Sequence, residues 1–181
     1  MGRIIAIVVL IIIIGWVIST YNGLVQLRNK VKNAFAQIDA QLQRRFDLIP
    51  NLVETVKGYA GHEKEVLENV AASRSGYMHA SSNEQKLEMN NQLTSTLKTL
   101  FAVAENYPEL KANTNFIDLQ NQLQRMEDEI ANSRKYYNGV VKQFNTKCET
   151  IPSNIVANIA GFEKQPLFVV NEDKQRENVK V

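Results

Sequence analysis

The chain opens with one stretch that has no polar face. Ile4 to Ile18 reads IIAIVVLIIIIGWVI, with no charge and no side-chain hydrogen-bonding group except Trp16. As a helix this run rises about 23 Å, and Gly2 to Tyr21 reaches about 30 Å, the thickness of a bilayer core. Trp16 and Tyr21 suit the lipid–water boundary. The pattern predicts a transmembrane anchor. A cleaved signal peptide is the alternative, with Val17 and Ser19 as the cleavage pair, but there is no A-x-A and only one basic residue in front. No cysteine follows to make a lipoprotein, and Ala6 stands where a myristoylation motif has Ser or Thr.

Beyond the anchor the period changes. Leu24, Leu27, Val31, Phe35, Ile38, Leu42 and Phe46 recur at three- and four-residue steps, one apolar stripe on a rod predicted to run as far as RRFDLIPNLVETVKGY. There Pro50 disfavours the α region for Ile49 and fits the first turn of a new helix, so the chain is expected to turn, with Asp47 accepting from the new N-terminus. Leu52, Val53, Val56, Ala60, Leu67 and Val70 carry a second stripe, weakened at Gly58 and Gly61, where an interruption near His62 is expected.

Ser82 with Gln85 forms a capping box, so a third helix begins near Asn83 and buries Leu87, Leu93, Leu97, Leu100 and Phe101. Pro108 ends it. Asn115 and Asp118 mark the next start. Phe116, Leu123, Ile130, Tyr137 and Phe144 form one seven-residue row, and Leu119, Met126, Ser133 and Val140 the other, the seam of a helix packed nearly antiparallel to its neighbours. Pro152 stops it, and Ser153 or Asn154 caps a short helix through Ile159 closed by Gly161. The expected fold is all-α: a single N-terminal transmembrane helix continuing into an antiparallel four-helix bundle, with a short C-terminal helix and an extended tail. The expected division is an anchor over 1–21, a bundle over 22–161, and an extended segment over 162–181 whose charged part from Asn171 is disordered.

A net charge of +2 in 181 residues lacks the basic balance of a nucleic-acid binder. The one cysteine, Cys148, allows no internal disulfide, and His62 and His79 have no companions at zinc-ligand spacing, so no cofactor or metal is expected. Arg28, Lys30 and Lys32 follow the anchor while Arg3 alone precedes it, which favours a cytoplasmic C-terminal domain. Arg44 and Arg45 stand roughly 36 Å further along a helix, too far to feel those headgroups through physiological salt.

No catalytic residue is assigned. Glu63, Glu65 and Glu68 near His62 could form an acid–base pair, but acids and Lys64 at this spacing suit a solvated helix face. Glu127, Asp128 and Glu129 with Arg125, Arg134 and Lys135 read the same way. Cys148 has no neighbouring base and reads as a packing thiol, His79 as a helix-end residue, and Tyr136 and Tyr137 as filling for the core seam. Arg44, Arg45, Asp47 and Asn51 go beyond what a turn requires. They are either a structural ion pair with Asp39 or Asp47, or a docking site for an acidic partner. Ile155, Ile159, Phe162, Leu167 and Phe168 are assigned to self-association or the membrane surface, since PLFVV either covers the bundle base or pairs with another protomer. Trp16, Tyr21, Arg28, Lys30 and Lys32 mark the membrane interface.

Three long stretches, YNGLVQLRNKVKNAFAQIDAQLQRRFDLIPNLVETVKGYAGHEKEVL, AENYPELKANTNFIDLQNQLQRMEDEIANSRKYYNGVVKQFNT and IPSNIVANIAGF, closely resemble the LemA family of bacterial membrane proteins. The resemblance covers Tyr21 to Phe168. It implies one transmembrane helix with a small N-terminus outside the cell, an antiparallel helical bundle, and frequent company with membrane-associated proteases, with no enzymatic activity attached. The functional expectation is a non-enzymatic scaffold or assembly protein of the bacterial inner membrane, acting as a homo-oligomer or on other envelope proteins. The alternative is an accessory sensor or regulator of a membrane protease or kinase.

Overall fold

A computed structural model describes Met1 to Phe168. Among these residues seven helices follow in order: α1 (Gly2–Asp47), α2 (Ile49–Lys57), α3 (Lys64–His79), α4 (Asn83–Ala104), α5 (Pro108–Lys111), α6 (Thr114–Glu149) and α7 (Ser153–Ile159). There is no strand among the described residues. The tail from Asn171 and the last two residues of PLFVV lie outside them.

The rod predicted from the apolar stripe is α1, one helix from the apolar run to Asp47. Its first part is covered by nothing among the described residues: the large apolar side chains from Ile4 to Ile18 are 39–68% exposed. This is the one helix among the described residues long and apolar enough to cross a membrane.

The turn expected at Pro50 falls elsewhere. Leu48 keeps right-handed helical angles, its carbonyl accepts from the Leu52 N–H at 3.1 Å, and α2 starts at once with Ile49. A proline in a first turn lacks only an N–H that had no partner there, so the helix pauses for one residue instead of reversing. Asp47 is not the cap; it belongs to α1, and α2 has no side-chain cap. The reversal lies at Gly58 to Glu63, the interruption expected near His62. From there α3 runs back: Leu67 and Ala71 near its start line a groove with Val53 of α2, and Tyr77 near its end stacks on Phe46 of α1 at 4.2 Å.

Three other helix starts divide between expectation and correction. Ser82 and Gln85 make the capping box in full at α4. At α6 the cap is Asn113, whose side-chain oxygen accepts from the Phe116 N–H at 3.0 Å, and not Asn115. At α7 the N-cap is Pro152 without a side-chain bond. Gly161 closes that helix at φ +69, with Phe162 N–H reaching Ala157 O and Gly161 N–H reaching Asn158 O, a backbone path open to glycine because it has no Cβ.

The chain divides into two compact units. The first joins residues up to Gln37 with those from Asn132 onward. Its core sets Leu24, Val31 and Ala34 of α1 against Tyr137, Val140, Val141 and Phe144 of α6, with Val156 and Ala157 of α7 and Phe162 beyond it also buried. The second unit, Ile38 to Ala131, packs α2 to α5 with the adjoining ends of α1 and α6. Phe46, Ile49, Leu52, Leu93, Leu100 and Leu123 are fully buried in it. Its heptad row of Phe116, Leu123 and Ile130 faces inward as predicted.

Candidate functional site

The pair of arginines is split by the helix that carries it. Arg44 is exposed, whereas Arg45, one residue and about 100° further round, is 3% exposed. A guanidinium in such a place needs acceptors from the neighbouring helices. On α4, Asn90 and Thr94 are one turn apart and supply them: Nη1 of Arg45 donates to Asn90 Oδ1 and to Thr94 Oγ1 at 3.0 Å. On α6, the Glu127 carboxylate completes an ion pair. Arg45 therefore ties α1 to α4 and α6 inside the second unit and presents no surface to a partner.

The ion pair expected with Asp39 or Asp47 is made with Glu127, 82 positions away along the chain. Of the three acids expected on a solvated face, Glu127 is 32% exposed and engaged, while Asp128 and Glu129 are exposed. Asp39 is bound elsewhere, accepting from Lys86 Nζ at 2.7 and 2.9 Å and from Tyr77 Oη at 3.2 Å. Burial, then the charge of Asp39, push the Tyr77 hydroxyl above the ordinary tyrosine range, so it stays a hydrogen-bond donor. What remains outward in the corner is Arg44, Asp47 and Asn51. Asn51 borders an open polar groove with Thr55, Asn115, Asp118 and Gln122.

The other ionisable candidates lie apart. Glu63 accepts from Tyr107 Oη at 2.9 Å, a hydrogen bond that raises the Tyr107 pKa, and so pins the reversal before α3 to the turn before α5. His62, Glu65 and Glu68 are exposed, and no group of three metal-ligating side chains is found among the described residues. His79 Nδ1 contacts the Ser75 carbonyl at 2.8 Å, a bond within its own helix. Cys148 is buried, and burial, then the neighbouring Glu149 charge, push its thiol up and away from the reactive thiolate.

In the first unit, the segment after α7 is laid along α6 by two side-chain amides that sequence reading missed. Asn138 accepts from the Phe168 N–H at 2.9 Å and donates to its carbonyl at 2.8 Å; Asn145 does the same for Gln165 at 2.9 and 2.8 Å. Each asparagine offers one acceptor and one donor to one residue's backbone, the exchange an adjacent strand would make. Their seven-residue spacing beside the heptad seam was the available signal.

The backbone expected to pair with another protomer is thus engaged at Gln165 and Phe168 within its own chain. Phe168 stacks on Tyr137 at 4.4 Å and leans on Phe35 at 5.8 Å. Phe162 is buried against Tyr21 and Phe144 at 5.8 and 6.2 Å, with the Arg28 guanidinium 5.1 Å from its ring centre. Phe162 is therefore core and not surface. Leu167, Ile155 and Ile159 are exposed, as are Trp16, Tyr21, Arg28, Lys30 and Lys32.

Compared with known proteins, residues 34–181 match the model of the LemA family. The chain belongs to the LemA family. The resemblance read from the quoted stretches is thereby established over most of the chain. Protein LemA of Metamycoplasma hominis is 28% identical over 159 residues, 84% of this chain and 73% of that protein. More distant similarity links it to magnetosome protein MamQ 2 of Paramagnetospirillum magneticum and to MamQ of Magnetospirillum gryphiswaldense. Both are 22% identical, over 91% of this chain and 70% of theirs. In this LemA-family chain the matched region holds Arg45, Glu127 and both clamp asparagines, while the apolar run precedes it.

Proposed function

We propose that this LemA-family protein is a single-pass, membrane-anchored scaffold of the bacterial cytoplasmic membrane, working through self-association and contacts with other envelope proteins and catalysing no reaction. The observation that carries this reading is α1. An apolar run with bare sides passes without a break into the packed part of α1, so the first unit continues directly from the segment proposed to cross the bilayer. Confinement to a plane raises effective concentration, and several weak contacts then add.

The choice of scaffold over enzyme is supported by how the reactive groups are engaged. Arg45, Glu63 and Asp39 hold helices together, and Cys148 is a buried thiol of raised pKa. The polar rim of Arg44, Asp47 and Asn51 is the contact surface that remains on the corner. The excess of Arg28, Lys30 and Lys32 over Arg3 supports a cytoplasmic position for the helical units. The magnetosome proteins among its relatives are named for the magnetosome and not for a reaction.

Size analysis of the full chain in mild detergent tests the reading. Particles larger than one chain, growing with protein concentration and reduced by charge reversal at Arg44, are expected. A strictly monomeric particle over a hundredfold concentration range removes self-assembly.

A further inference from the structure

The short helix α7 carries an apolar face that nothing among the described residues covers. Ile155 and Ile159, one turn apart, are 56% and 84% exposed, and Ile151 just before the helix is 83% exposed. Val156 and Ala157 face the core of the first unit, so the helix is two-sided, with its larger side chains outward. Isolated exposed isoleucines need no explanation, but Ile155 and Ile159 share one face of α7, with Ile151 exposed in the turn before it, and grouped exposed apolar side chains mark an interaction surface.

Its position in the unit says which. Gly161 turns the chain out of α7 directly into Phe162, and Phe162 packs edge-on against Tyr21 of α1. Tyr21 comes three residues after Ile18, the end of the apolar run, or about 4.5 Å along the helix. Headgroup layers are roughly 5–8 Å deep on each side of the hydrocarbon. The end of α7 is thus fixed at the depth where a bilayer crossed by α1 passes from acyl chain to headgroup.

The local chemistry agrees with that depth. Residues 151–162, IPSNIVANIAGF, contain no ionisable side chain. Beside this junction the Arg28 guanidinium is held over the Phe162 ring, and the Lys147 ammonium lies over Gly23 in space a Cβ would occupy. Long cationic side chains of this kind reach toward lipid phosphates from beyond the hydrocarbon edge, and the Glu149 carboxylate is paired with Lys164.

We infer that α7 is a second, interfacial membrane contact: Ile151, Ile155 and Ile159 insert among the upper acyl chains and ester groups of the leaflet through which α1 emerges. The occupant is lipid, not a second copy of the chain. The inference rests on α1 spanning the bilayer, and it goes beyond that reading because a single-pass anchor does not require the folded unit to touch lipid at all. With this contact the unit is held at two points, and rotation about the α1 axis is restricted.

The test places one fluorescent label per molecule on the full chain in phosphatidylcholine–phosphatidylglycerol vesicles. A Cys148→Ala background carries Ile159→Cys or Ile151→Cys, positions so exposed that substitution leaves the packing intact, with Ile11→Cys in the apolar run and Lys98→Cys in the second unit as references. Lipids with a nitroxide at carbon 5 or carbon 12 of the acyl chain report depth, and aqueous iodide reports solvent access.

Labels at 159 and 151 should emit to the blue of the label at 98, resist iodide, and be quenched about twofold or more by the carbon-5 nitroxide relative to carbon 12, as befits insertion of roughly 5–10 Å. The label at 11 should favour carbon 12. Labels at 159 and 151 open to iodide and untouched by either nitroxide, with position 11 still quenched, overturn the inference and leave the anchor standing. Protection from iodide without lipid quenching means that protein covers the face, and equally overturns it. Loss of quenching at position 11 removes the anchor and the inference with it.

Discussion

The Arg45–Glu127 pair yields an asymmetry that can be measured. Arg45 is 3% exposed and Glu127 32%, so the two partners are not equally stranded when the other is removed. Glu127→Ala takes the carboxylate away from a cation in the interior of the second unit, where Asn90 and Thr94 supply neutral oxygens, and the loss expected for breaking a buried pair from this side is about 3–5 kcal/mol. Arg45→Met keeps the packing of the aliphatic stem and leaves a carboxylate that water can reach and that still accepts from Thr94 Oγ1 at 3.3 Å. Its main cost is the buried Asn90 oxygen left without this donor, about 1–3 kcal/mol. Removing both charges strands neither, so the double variant Arg45→Met/Glu127→Gln should cost less than the sum of Arg45→Met and Glu127→Gln, with a coupling of about 0.5–3 kcal/mol. Urea unfolding of the full chain in detergent, followed by circular dichroism, gives each value. The reasoning is refuted if Arg45→Met proves costlier than Glu127→Ala, or if the two sites are additive.

Two further outcomes follow from the same kind of argument. Asn138→Ala and Asn145→Ala each remove two hydrogen bonds to the segment after α7, about 1–3 kcal/mol per site, and should speed amide exchange at Phe168 and Gln165 respectively while α6 stays protected; unchanged exchange at both would dismiss the clamp. For Tyr77 the folded-state pKa is raised, so its contribution is fully present below the unfolded value of about 10 and is lost as pH rises beyond it. Thermal melts from pH 8 to 11 should therefore fall less steeply for Tyr77→Phe than for the parent chain, and parallel curves would show that Tyr77 does not ionise with that penalty.

Much of this architecture is legible from period alone, because burial on one side of a helix imposes spacing on its sequence. The α1 stripe, the α4 capping box, the α6 seam and the closing Gly161 all involve residues within one turn or one heptad of each other. The errors share a cause as well. Pro50 carries two opposed tendencies, breaking a helix and starting one, and only the stop at Gly58 to Glu63 decides between them. Arg45 looked like half of a surface pair because nothing local distinguishes it from Arg44. Its burial depends on Asn90, Thr94 and Glu127, which are distant in sequence. The asparagine clamp was missed for the same reason, since its partners are backbone groups 20 and 30 residues away. Long-range polar pairing leaves no period to read.

With α1 crossing the bilayer as proposed, the absence of a loop between the apolar run and the rest of that helix would make the protein responsive to the thickness of its host membrane. A helix that crosses a thinner bilayer tilts to hide its excess length. With a flexible tether that tilt would be absorbed in the linker. Here Leu24, Val31 and Ala34, the α1 side of the first unit's core, belong to the same rigid cylinder, so any lean of the crossing segment turns that unit by an equal angle relative to the lipid surface.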